Sequence, residues 1–288
     1  MQLKENKRIQ FFKMSGSGND FIMIDNRELR LNSDDCEELV LRACRRKISV
    51  GADGMILIEN DPEADFKWRF FNADGSEAEM CGNGARCAAR FAYLKDIVRS
   101  TKMRFRTLAG IIEAEIFQDR VKIRVTAPYA IETDIALQVE RDIYPVHFIN
   151  TGVPHTVYFL DSERDLEEID VFRLGRAFRI HPRFQPAGSN ANFALVRDLH
   201  HMTIRTYERG VEDETLACGT GSIACALIAA VKDRVASPVD VLTRSGETLT
   251  IHFEKQSQQG VAGFEGVYLE GDARVVYEAE LWDETLQK

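Results

Sequence analysis

Segments in which apolar and polar residues alternate, or in which β-branched and aromatic residues dominate, recur along the whole chain and predict β-strands. In the first part the predicted strands are Ile9–Lys13, Phe21–Asp25, Met55–Glu59, Lys67–Asn72, Met103–Thr107, Ile111–Phe117 and Val121–Thr126. In the second part they are Tyr144–Ile149, Thr156–Leu160, Ala191–Val196, Met202–Tyr207, Val239–Thr243, Leu249–Phe253 and Gly266–Tyr277. Helical spacing of apolar residues predicts helices at Ser33–Lys47, Gly84–Leu94, Val171–Phe178 and Gly221–Lys232. Many short strands mixed with a few helices indicate an α/β (α+β) fold.

The sequence contains one short internal repeat, built around two cysteines. Glu77–Gly84 and Glu214–Gly221 share a glutamate, a cysteine and two glycines when Cys81 is aligned with Cys218. Each block opens an alanine-rich segment with a helical pattern, as two copies of one domain would. A strand run ends near Ala127-Pro128, and no low-complexity linker follows it. We therefore predict two domains, residues 1–127 carrying Cys81 and residues 128–271 carrying Cys218.

Composition and charge narrow the class of protein. The 288 residues include 37 lysines and arginines and 46 aspartates and glutamates, which gives a formal net charge of −9. An acidic chain without a basic cluster lacks the footprint that nucleic-acid binding requires. The longest apolar run, Ile223–Val231, is too short to span a bilayer, and the first residues show no apolar signal segment. The expectation is a cytoplasmic protein that binds neither nucleic acid nor a membrane.

Six cysteines and six histidines raise the question of metal sites and disulfides. No two cysteines have CxxC spacing, and the histidines form no HExxH or HxxxH pattern, so we expect no metal site. Without a secretory signal the thiols are expected to be reduced. Four cysteines lie on predicted helical faces among apolar neighbours and are predicted to be core residues: Cys36, Cys44, Cys87 and Cys225.

Cys81 and Cys218 differ from these four, because Cys-Gly-Xaa-Gly at the start of a helix makes poor core packing. A helix N-terminus presents unpaired N–H groups and a partial positive charge, which lower the pKa of a cysteine there and can hold a carboxylate. Neighbouring glycines let the backbone approach a bound anion. Two such thiols, one acid and one base, can invert a carbon next to a carboxylate by exchanging protons on its two faces.

Longer segments around both cysteines resemble the two signatures of the diaminopimelate epimerases. The first is Phe70–Cys87, with the sequence FFNADGSEAEMCGNGARC, and the second is Glu208–Gly221, with the sequence ERGVEDETLACGTG. Shorter blocks similar to the same family occur in the family's order, at Gly18–Phe21, Gly51–Gly54, Pro154-His155 and Gly188–Phe193. The resemblance covers nearly the whole chain.

The resemblance implies both a fold and an activity. The fold would consist of two pseudo-symmetric domains, each a mixed β-sheet wrapped around a central helix, with the substrate in the cleft between them. The C-terminal strand, about residues 272–288, would return to the first domain. The activity would be that of a homodimeric epimerase without pyridoxal phosphate or metal. It would interconvert LL- and meso-2,6-diaminopimelate, on the route to lysine and peptidoglycan.

Residue roles follow from the same resemblance. Cys81 and Cys218 would be the acid/base thiols, with His155 and Glu208 near the reacting amino group. The backbone N–H groups that would hold the carboxylate belong to Gly82, Asn83, Gly219 and Thr220. The side chains that would grip the substrate, largely at its distal end, are those of Asn19, Asn72, Asn190 and Arg209. Taken singly, such histidines, asparagines and charged pairs more often serve turns, cores or solvated surfaces. Their order and spacing relative to the cysteines favour the site.

Two departures from the family pattern bear on the substrate. Val153 stands where many members have asparagine, and Gly54 where some have glutamine. Asn150 is a candidate to replace the lost amide. Two other functions remain open from the sequence: a racemase of the same fold for another amino acid, of histidine or proline type, and a non-catalytic thiol redox switch. Arg209 favours a substrate with a distal carboxylate, because its guanidinium matches that group.

Overall fold

The computed structural model describes residues 8–29, 31, 33–258, 261–282 and 284. The described residues form two units, one within Met1–Ile123 and Gly271–Lys288 and the other within Arg124–Glu270. The first passage between the units thus falls after Ile123, a few residues before the predicted boundary near Ala127-Pro128. Within the described ranges, no helix combines the length and the apolar character needed to cross a membrane.

The described residues of the first unit form mixed β-structure and two helices. Its strands are β1 (Ile9–Gly16), β2 (Asn19–Asp25), β3 (Gly54–Glu59), β4 (Phe66–Asn72), β5 (Glu77–Ala78), β6 (Lys102–Thr107), β7 (Gly110–Phe117), β8 (Arg120–Arg124) and β18 (Arg274–Leu281). Its helices are α1 (Ser33–Ala43) and α2 (Gly82–Leu94). The strand order is β18-β1-β2-β3-β4-β6-β7-β8, with β5 paired to the end of β4. The β2–β3 and β4–β6 pairs are parallel and the others antiparallel.

Helix α2 lies at the centre of this unit and is buried on nearly every side, because most of its own residues are small or apolar. It packs against β1, β2, β3 and β7. Strand β3 is buried along its whole length, since the sheet is covered on both faces. Met55 and Leu57 join a core with α1, whereas Ile56 points to α2 near Gly84. The strand β18 pairs antiparallel with β1, with Leu281 opposite Ile9, and residues 285–288 lie outside the described residues.

The second unit repeats this architecture. Its strands are β9 (Tyr129–Val139), β10 (Asp142–Asn150), β11 (Pro154–Phe159), β12 (Asn190–Val196), β13 (His201–Glu208), β14 (Asp213–Thr215), β15 (Val239–Leu242), β16 (Thr248–Gln258) and β17 (Val261–Asp272). Its helices are α3 (Glu163–Glu168), α4 (Val171–Ile180) and α5 (Gly219–Val231), with a 3₁₀ turn at Pro182–Phe184. The strand order is β9-β10-β11-β12-β13-β15-β16-β17, with β14 on β13.

The two units share the same series of strand directions. In the second unit only β11–β12 and β13–β15 are parallel, so β10 to β17 correspond in order to β1 to β8. Helix α5 takes the place of α2 and is buried on nearly all sides. The predicted α/β fold, with two pseudo-symmetric mixed sheets and a central helix in each, is confirmed.

Two predicted elements were wrong in detail, and one long strand was not predicted. The segment Gly266–Tyr277 contains parts of two strands, because the ladder is interrupted at buried Ala273, whose N–H donates to the carbonyl of Asp119. The strand Tyr129–Val139 was missed, since most of its side chains are exposed and burial alternates only from Ile135 to Val139. The first helix ends at Ala43, well before Lys47, whose positive φ of 69° is incompatible with helix.

Candidate active site

Each central helix begins directly after one of the two repeated cysteines. Cys81 has φ −147° and ψ 119°, and Cys218 has φ −129° and ψ 108°, so both are extended N-cap residues. The Cys81 Sγ accepts a hydrogen bond from the N–H of Gly84 at 3.5 Å, and the Cys218 Sγ accepts one from Gly221 at 3.4 Å. The N–H groups of the two residues after each cysteine belong to a first helical turn, which lacks intrahelical acceptors for them. Both units therefore present a thiol and backbone donors together.

The other four cysteines are structural. Cys36, Cys44, Cys87 and Cys225 are buried, as predicted. Burial raises the pKa of the Cys44 and Cys87 thiols to about 12, and it raises the pKa of the Cys225 thiol well above its usual range. These thiols are therefore uncharged and unreactive at neutral pH.

The electrostatics of Cys218 differ from the expectation of a lowered pKa. Its side chain is only 4% exposed, and burial raises the pKa of the thiol to about 12, with the Glu208 carboxylate acting in the same direction. The hydroxyl of Thr220 and the N–H groups of Thr220 and Gly221 lower the pKa, as a helix N-terminus should, but burial outweighs them. In this structure Cys218 is therefore in the protonated thiol form at neutral pH, because a thiolate would be poorly solvated there.

Glu208 lies next to this thiol at the end of β13. Burial raises the pKa of its carboxyl group, while hydrogen bonding with Thr215 and Cys218 lowers it. The side chain of Thr220 is also close, with its Oγ1 3.5 Å from the Cys218 Sγ. The structure thus brings Cys218, Glu208 and Thr220 together in the second unit.

His155 is fully buried near the start of β11 and is held by one side chain. Its Nδ1 lies 3.1 Å from the Nδ2 of Asn192, and Asn192 also donates from Nδ2 to the carbonyl of Thr156 at 2.9 Å. Burial lowers the pKa of His155 to about 3, and the charge of Arg209 acts in the same direction. The imidazole is therefore neutral at physiological pH.

Acid destabilisation is expected from His155 and from buried His147, whose pKa burial lowers to about 4. Unfolded histidine titrates near pH 6.5, so between about pH 6.5 and 4 the unfolded chain binds more protons than the folded one. The free energy of unfolding should fall as the pH is lowered through this window, by up to about 1.4 kcal/mol per pH unit for each histidine.

Urea unfolding between pH 7.5 and 4.5 tests this expectation. A His147→Asn variant is the matched comparison, because an amide oxygen can still accept the N–H of Asp134 that Nδ1 of His147 accepts at 3.0 Å. Carboxyl groups, including Glu208, contribute equally to both proteins, so their contribution cancels in the difference between the two free energies of unfolding. Equal slopes of unfolding free energy against pH would contradict the assigned titration of His147.

Asn190 and Arg209 are joined, but Asn190 is largely used for structure. Its Oδ1 accepts the N–H of Arg209 at 2.7 Å, and its Nδ2 donates to the carbonyl of Pro154 at 3.1 Å. The guanidinium of Arg209 donates to the carbonyl of Ala187 at 2.9 Å. Asn190 therefore connects the backbone at the start of β11 to the backbone of Arg209.

In the first unit, Asn19 and Asn83 belong to one directed chain of hydrogen bonds. The buried Arg86 donates to the Oδ1 of Asn83 at 2.8 Å, Asn83 donates to the Oδ1 of Asn19 at 2.8 Å, and Asn19 donates to Asp53 at 3.0 Å. Arginine has only donors and an ionised carboxylate only acceptors, so both amide orientations are determined. Asn72 lies apart, exposed at the end of β4, where its Nδ2 donates to the Ser76 hydroxyl at 3.0 Å.

The sequence of this chain is similar to sequences of known proteins. A family model described as diaminopimelate epimerase matches residues 11–130 and 147–276. The diaminopimelate epimerase of Aquifex aeolicus is 47% identical over 97% of this chain and 100% of its own length. That of a Hydrogenobaculum species is 47% identical over 93% of this chain and 97% of its own. The chain belongs to the diaminopimelate epimerase family. It is therefore an isomerase of the epimerase type.

Solved structures share the diaminopimelate epimerase fold at low sequence identity. A PhzF-family phenazine biosynthesis protein of Bacillus anthracis has a TM-score of 0.72 at 16% identity, covering 96% of this chain and 100% of its own. A hydroxyproline epimerase of Agrobacterium vitis, with bound trans-4-hydroxy-L-proline, has a TM-score of 0.64 at 14% identity, covering 98% and 94%. These likenesses show the fold alone, so the relatives with high identity favour the diaminopimelate epimerases over racemases of the proline type.

The structure gives a physical reason for one departure from the diaminopimelate epimerase pattern. A Cβ at Gly54 would lie 2.5 Å from the carbonyl oxygen of Phe71 and 2.7 Å from the ring of Phe70, so no side chain fits there without a shift of backbone. At the other departure, the Oδ1 of Asn150 accepts the N–H of Gly152 at 3.0 Å and serves the turn before Val153. Replacement of the lost amide by Asn150 stays a hypothesis.

Sequence reasoning missed several residues that support the site. Asn192 lay inside a recognised block but received no role, and Thr206, Thr215, Asp53 and Arg86 received none either. The signal available for Asn192 was its place in a predicted apolar strand, where an unpaired amide would be costly. Thr206 carries no signal of its own in the sequence, because threonine is common in strands.

Proposed function

We propose that this chain interconverts LL- and meso-2,6-diaminopimelate through Cys81 and Cys218, with one thiol on each face of the reacting α-carbon. The observation that carries the proposal is the repeated N-cap cysteine, present with the same backbone conformation and the same N–H···S contact in both units. Membership of the diaminopimelate epimerase family supplies the substrate class.

In each direction one cysteine acts as a thiolate and the other as a thiol. The thiolate takes the α-proton, and the electron pair of the broken C–H bond moves into the adjoining carboxylate system. The thiol then gives its proton to the opposite face of the carbon, so that the centre is inverted and the two sulfurs exchange protonation states. The raised pKa of Cys218 keeps it in the thiol form, which is the form that the proton donor must have in one direction.

Backbone donors stabilise the charge that develops on the carboxylate. The N–H groups after the cysteines, at Gly82, Asn83, Gly219 and Thr220, supply this stabilisation in the proposal. Glu208, next to Cys218, is assigned to the substrate's ammonium group, because a carboxylate pairs with that charge. Arg209 is assigned to the distal carboxylate, and Asn19, Asn72 and Asn190 to polar atoms of the distal end or to holding those contacts in place.

Proton NMR in heavy water tests the proposal. With reduced protein and LL-diaminopimelate, we expect the α-proton signal to decay while meso-diaminopimelate appears. Proline and trans-4-hydroxyproline are the comparison substrates, since neither carries a distal carboxylate, and they should exchange no α-proton. A folded, reduced protein that leaves the α-proton of LL-diaminopimelate in place would refute the proposal.

The proposal also includes properties that the family resemblance implies. The enzyme acts in the cytoplasm as a homodimer and needs neither pyridoxal phosphate nor a metal ion. Light scattering of the purified protein measures the oligomeric state, and dialysis against a chelator measures the need for metal. Among the described residues, no group of three or more histidine, cysteine, aspartate or glutamate side chains has the arrangement of a metal site.

A further inference from the structure

A buried polar trio in the second unit has an apolar counterpart in the first. In the second unit, Asn192 lies opposite Thr206 in the β12–β13 ladder, and His155 lies at the position of β11 that pairs with Asn190. In the first unit, Ile56 lies opposite Phe70 in the corresponding ladder, and Phe21 pairs with Gly54. The repeated strand order thus matches His155, Asn192 and Thr206 with Phe21, Ile56 and Phe70 respectively.

The comparison between the units shows that the fold does not demand polar residues at these positions. Phe21, Ile56 and Phe70 are buried, and the two rings pack edge to face with centroids 5.9 Å apart. His155, Asn192 and Thr206 are equally buried, at 0 to 2% exposure. Burying a hydrogen-bonded polar trio where apolar residues suffice gives no clear gain in stability. A role in the reaction site explains better why these three buried residues are polar.

The hydrogen bonds of the trio determine where the proton of His155 lies. The carbonyl oxygen of Thr156 can only accept, so the Asn192 atom at 2.9 Å from it is the Nδ2 donor. The hydroxyl of Thr206 donates to the Asn192 Oδ1 at 3.0 Å, in agreement with that orientation. The Nδ2 therefore donates its second hydrogen to the Nδ1 of His155, which must be unprotonated. A neutral imidazole then carries its proton on Nε2.

Two further observations link this tautomer to the reaction site. The Nε2 of His155 is fully buried and has no hydrogen-bond partner among the residues that the structure describes. The amide of Asn192 lies against the start of α5, since a Cβ on Gly221 would be 2.4 Å from its Oδ1 and 3.2 Å from the Cys218 Sγ. A buried N–H donor is costly unless some acceptor meets it.

We propose that Asn192 is a positioning residue that holds His155 in its neutral Nε2–H tautomer, so that His155 meets the substrate only as a hydrogen-bond donor. This inference rests on the proposed function for the identity of the substrate. It excludes His155 as a base and as an acceptor for the substrate's ammonium group, because the only basic nitrogen, Nδ1, is occupied by Asn192. The acceptor that His155 meets is then an oxygen atom of the substrate.

Nitrogen-15 NMR of histidine-labelled full-length protein, without substrate, tests the tautomer directly. The His155 signal is assigned by its loss in a His155→Gln variant, and we expect the proton on Nε2. Two histidines serve as references. The Nδ1 of His147 accepts the N–H of Asp134, which gives the same tautomer, whereas the Nδ1 of His200 lies 2.9 Å from the carbonyl of Pro238 and must carry a proton. A proton on Nδ1 of His155 in the wild-type protein overturns the proposal.

An Asn192→Asp variant tests the positioning role. A carboxylate has no N–H to give, so it should draw a proton onto the Nδ1 of His155 and lower kcat/KM for LL-diaminopimelate by about a hundredfold or more, as loss of a placed donor does. The matched variant Thr206→Val keeps both donations of Asn192 Nδ2 and should keep the Nε2–H tautomer. If the aspartate variant does not fold, Asn192→Ala should instead give a mixture of tautomers.

The role of Asn192 and the proposed function can be refuted separately. A tautomer that is unchanged in folded Asn192→Asp protein, or one that changes without loss of kcat/KM, overturns the proposal for Asn192. Absence of epimerisation in the wild-type protein refutes the proposed function instead, and the NMR measurement of the tautomer does not depend on activity.

Discussion

Replacing either Cys81 or Cys218 by serine is expected to lower kcat for epimerisation by about a thousandfold, within the range that general acid–base groups contribute. A hydroxyl group is a far weaker acid than a thiol and is almost never ionised at neutral pH. Matched variants are Cys87→Ala and Cys225→Ala, which alter buried thiols of the same two helices and should keep turnover while the protein remains folded. Steady-state rates with purified reduced protein measure the effect.

Solvent exchange separates the two thiols more sharply than turnover does. Each serine variant keeps one thiol, and that thiol can still remove and return a proton on its own face. We therefore expect each variant to exchange the α-proton of only one of the two epimers with heavy water, and the two variants to prefer opposite epimers. The assignment of one thiol to each face would be contradicted if one variant exchanged neither epimer while the other variant still exchanged both.

A Gly221→Ala substitution is expected to impair both stability and turnover. The added Cβ would meet the Asn192 Oδ1 at 2.4 Å and the Cys218 Sγ at 3.2 Å, so the amide must move. Overpacking of this kind costs about 1–3 kcal/mol, which exceeds the roughly 1 kcal/mol that alanine gains over glycine in a helix. Displacement of Asn192 and the thiol should lower kcat about a hundredfold, as small misplacements in active sites do.

The corresponding glycine of the first unit provides the control. A Cβ at Gly84 would meet Ile56 Cδ1 at 3.0 Å, the Trp68 ring at 3.4 Å and the Cys81 Cβ at 3.6 Å, so its tightest contact is the end of a side chain that can shift. Gly84→Ala should therefore lower the free energy of unfolding less than Gly221→Ala, as measured by urea unfolding. A larger loss at Gly84 would contradict the importance of the Asn192 contact.

The parts of the site that depend on neighbouring residues could be predicted from the sequence. The position of Cys81 and Cys218 at helix N-termini could be predicted because an N-cap residue and the glycines after it act within one helical turn. The core cysteines were readable because their apolar neighbours recur with helical spacing. Strand β9 was missed because most of its side chains are exposed and burial alternates only in its last five residues, so that its place in the sheet depends on pairing with β10.

The roles of individual polar residues were less accessible. Asn190 matched a family position that grips the substrate, yet its amide also holds the carbonyl of Pro154 and the N–H of Arg209. Asn19 and Asn83 matched separate positions, whereas they form one chain that begins at Arg86 and ends at Asp53. Partners that lie far apart in the sequence decide these roles, and no local pattern records them.

The sequence by itself determined the mixed α/β class, the internal repeat and the two thiols, because periodicity, capping and spacing act over a few residues. Only the tertiary structure decided the protonation of the site. Burial, and not the helix N-terminus, sets the pKa of Cys218, and strands brought together from residues 155, 192 and 206 determine the proton position on His155. Desolvation and hydrogen-bond partners arise when distant segments pack together, so these properties appear only in the folded chain.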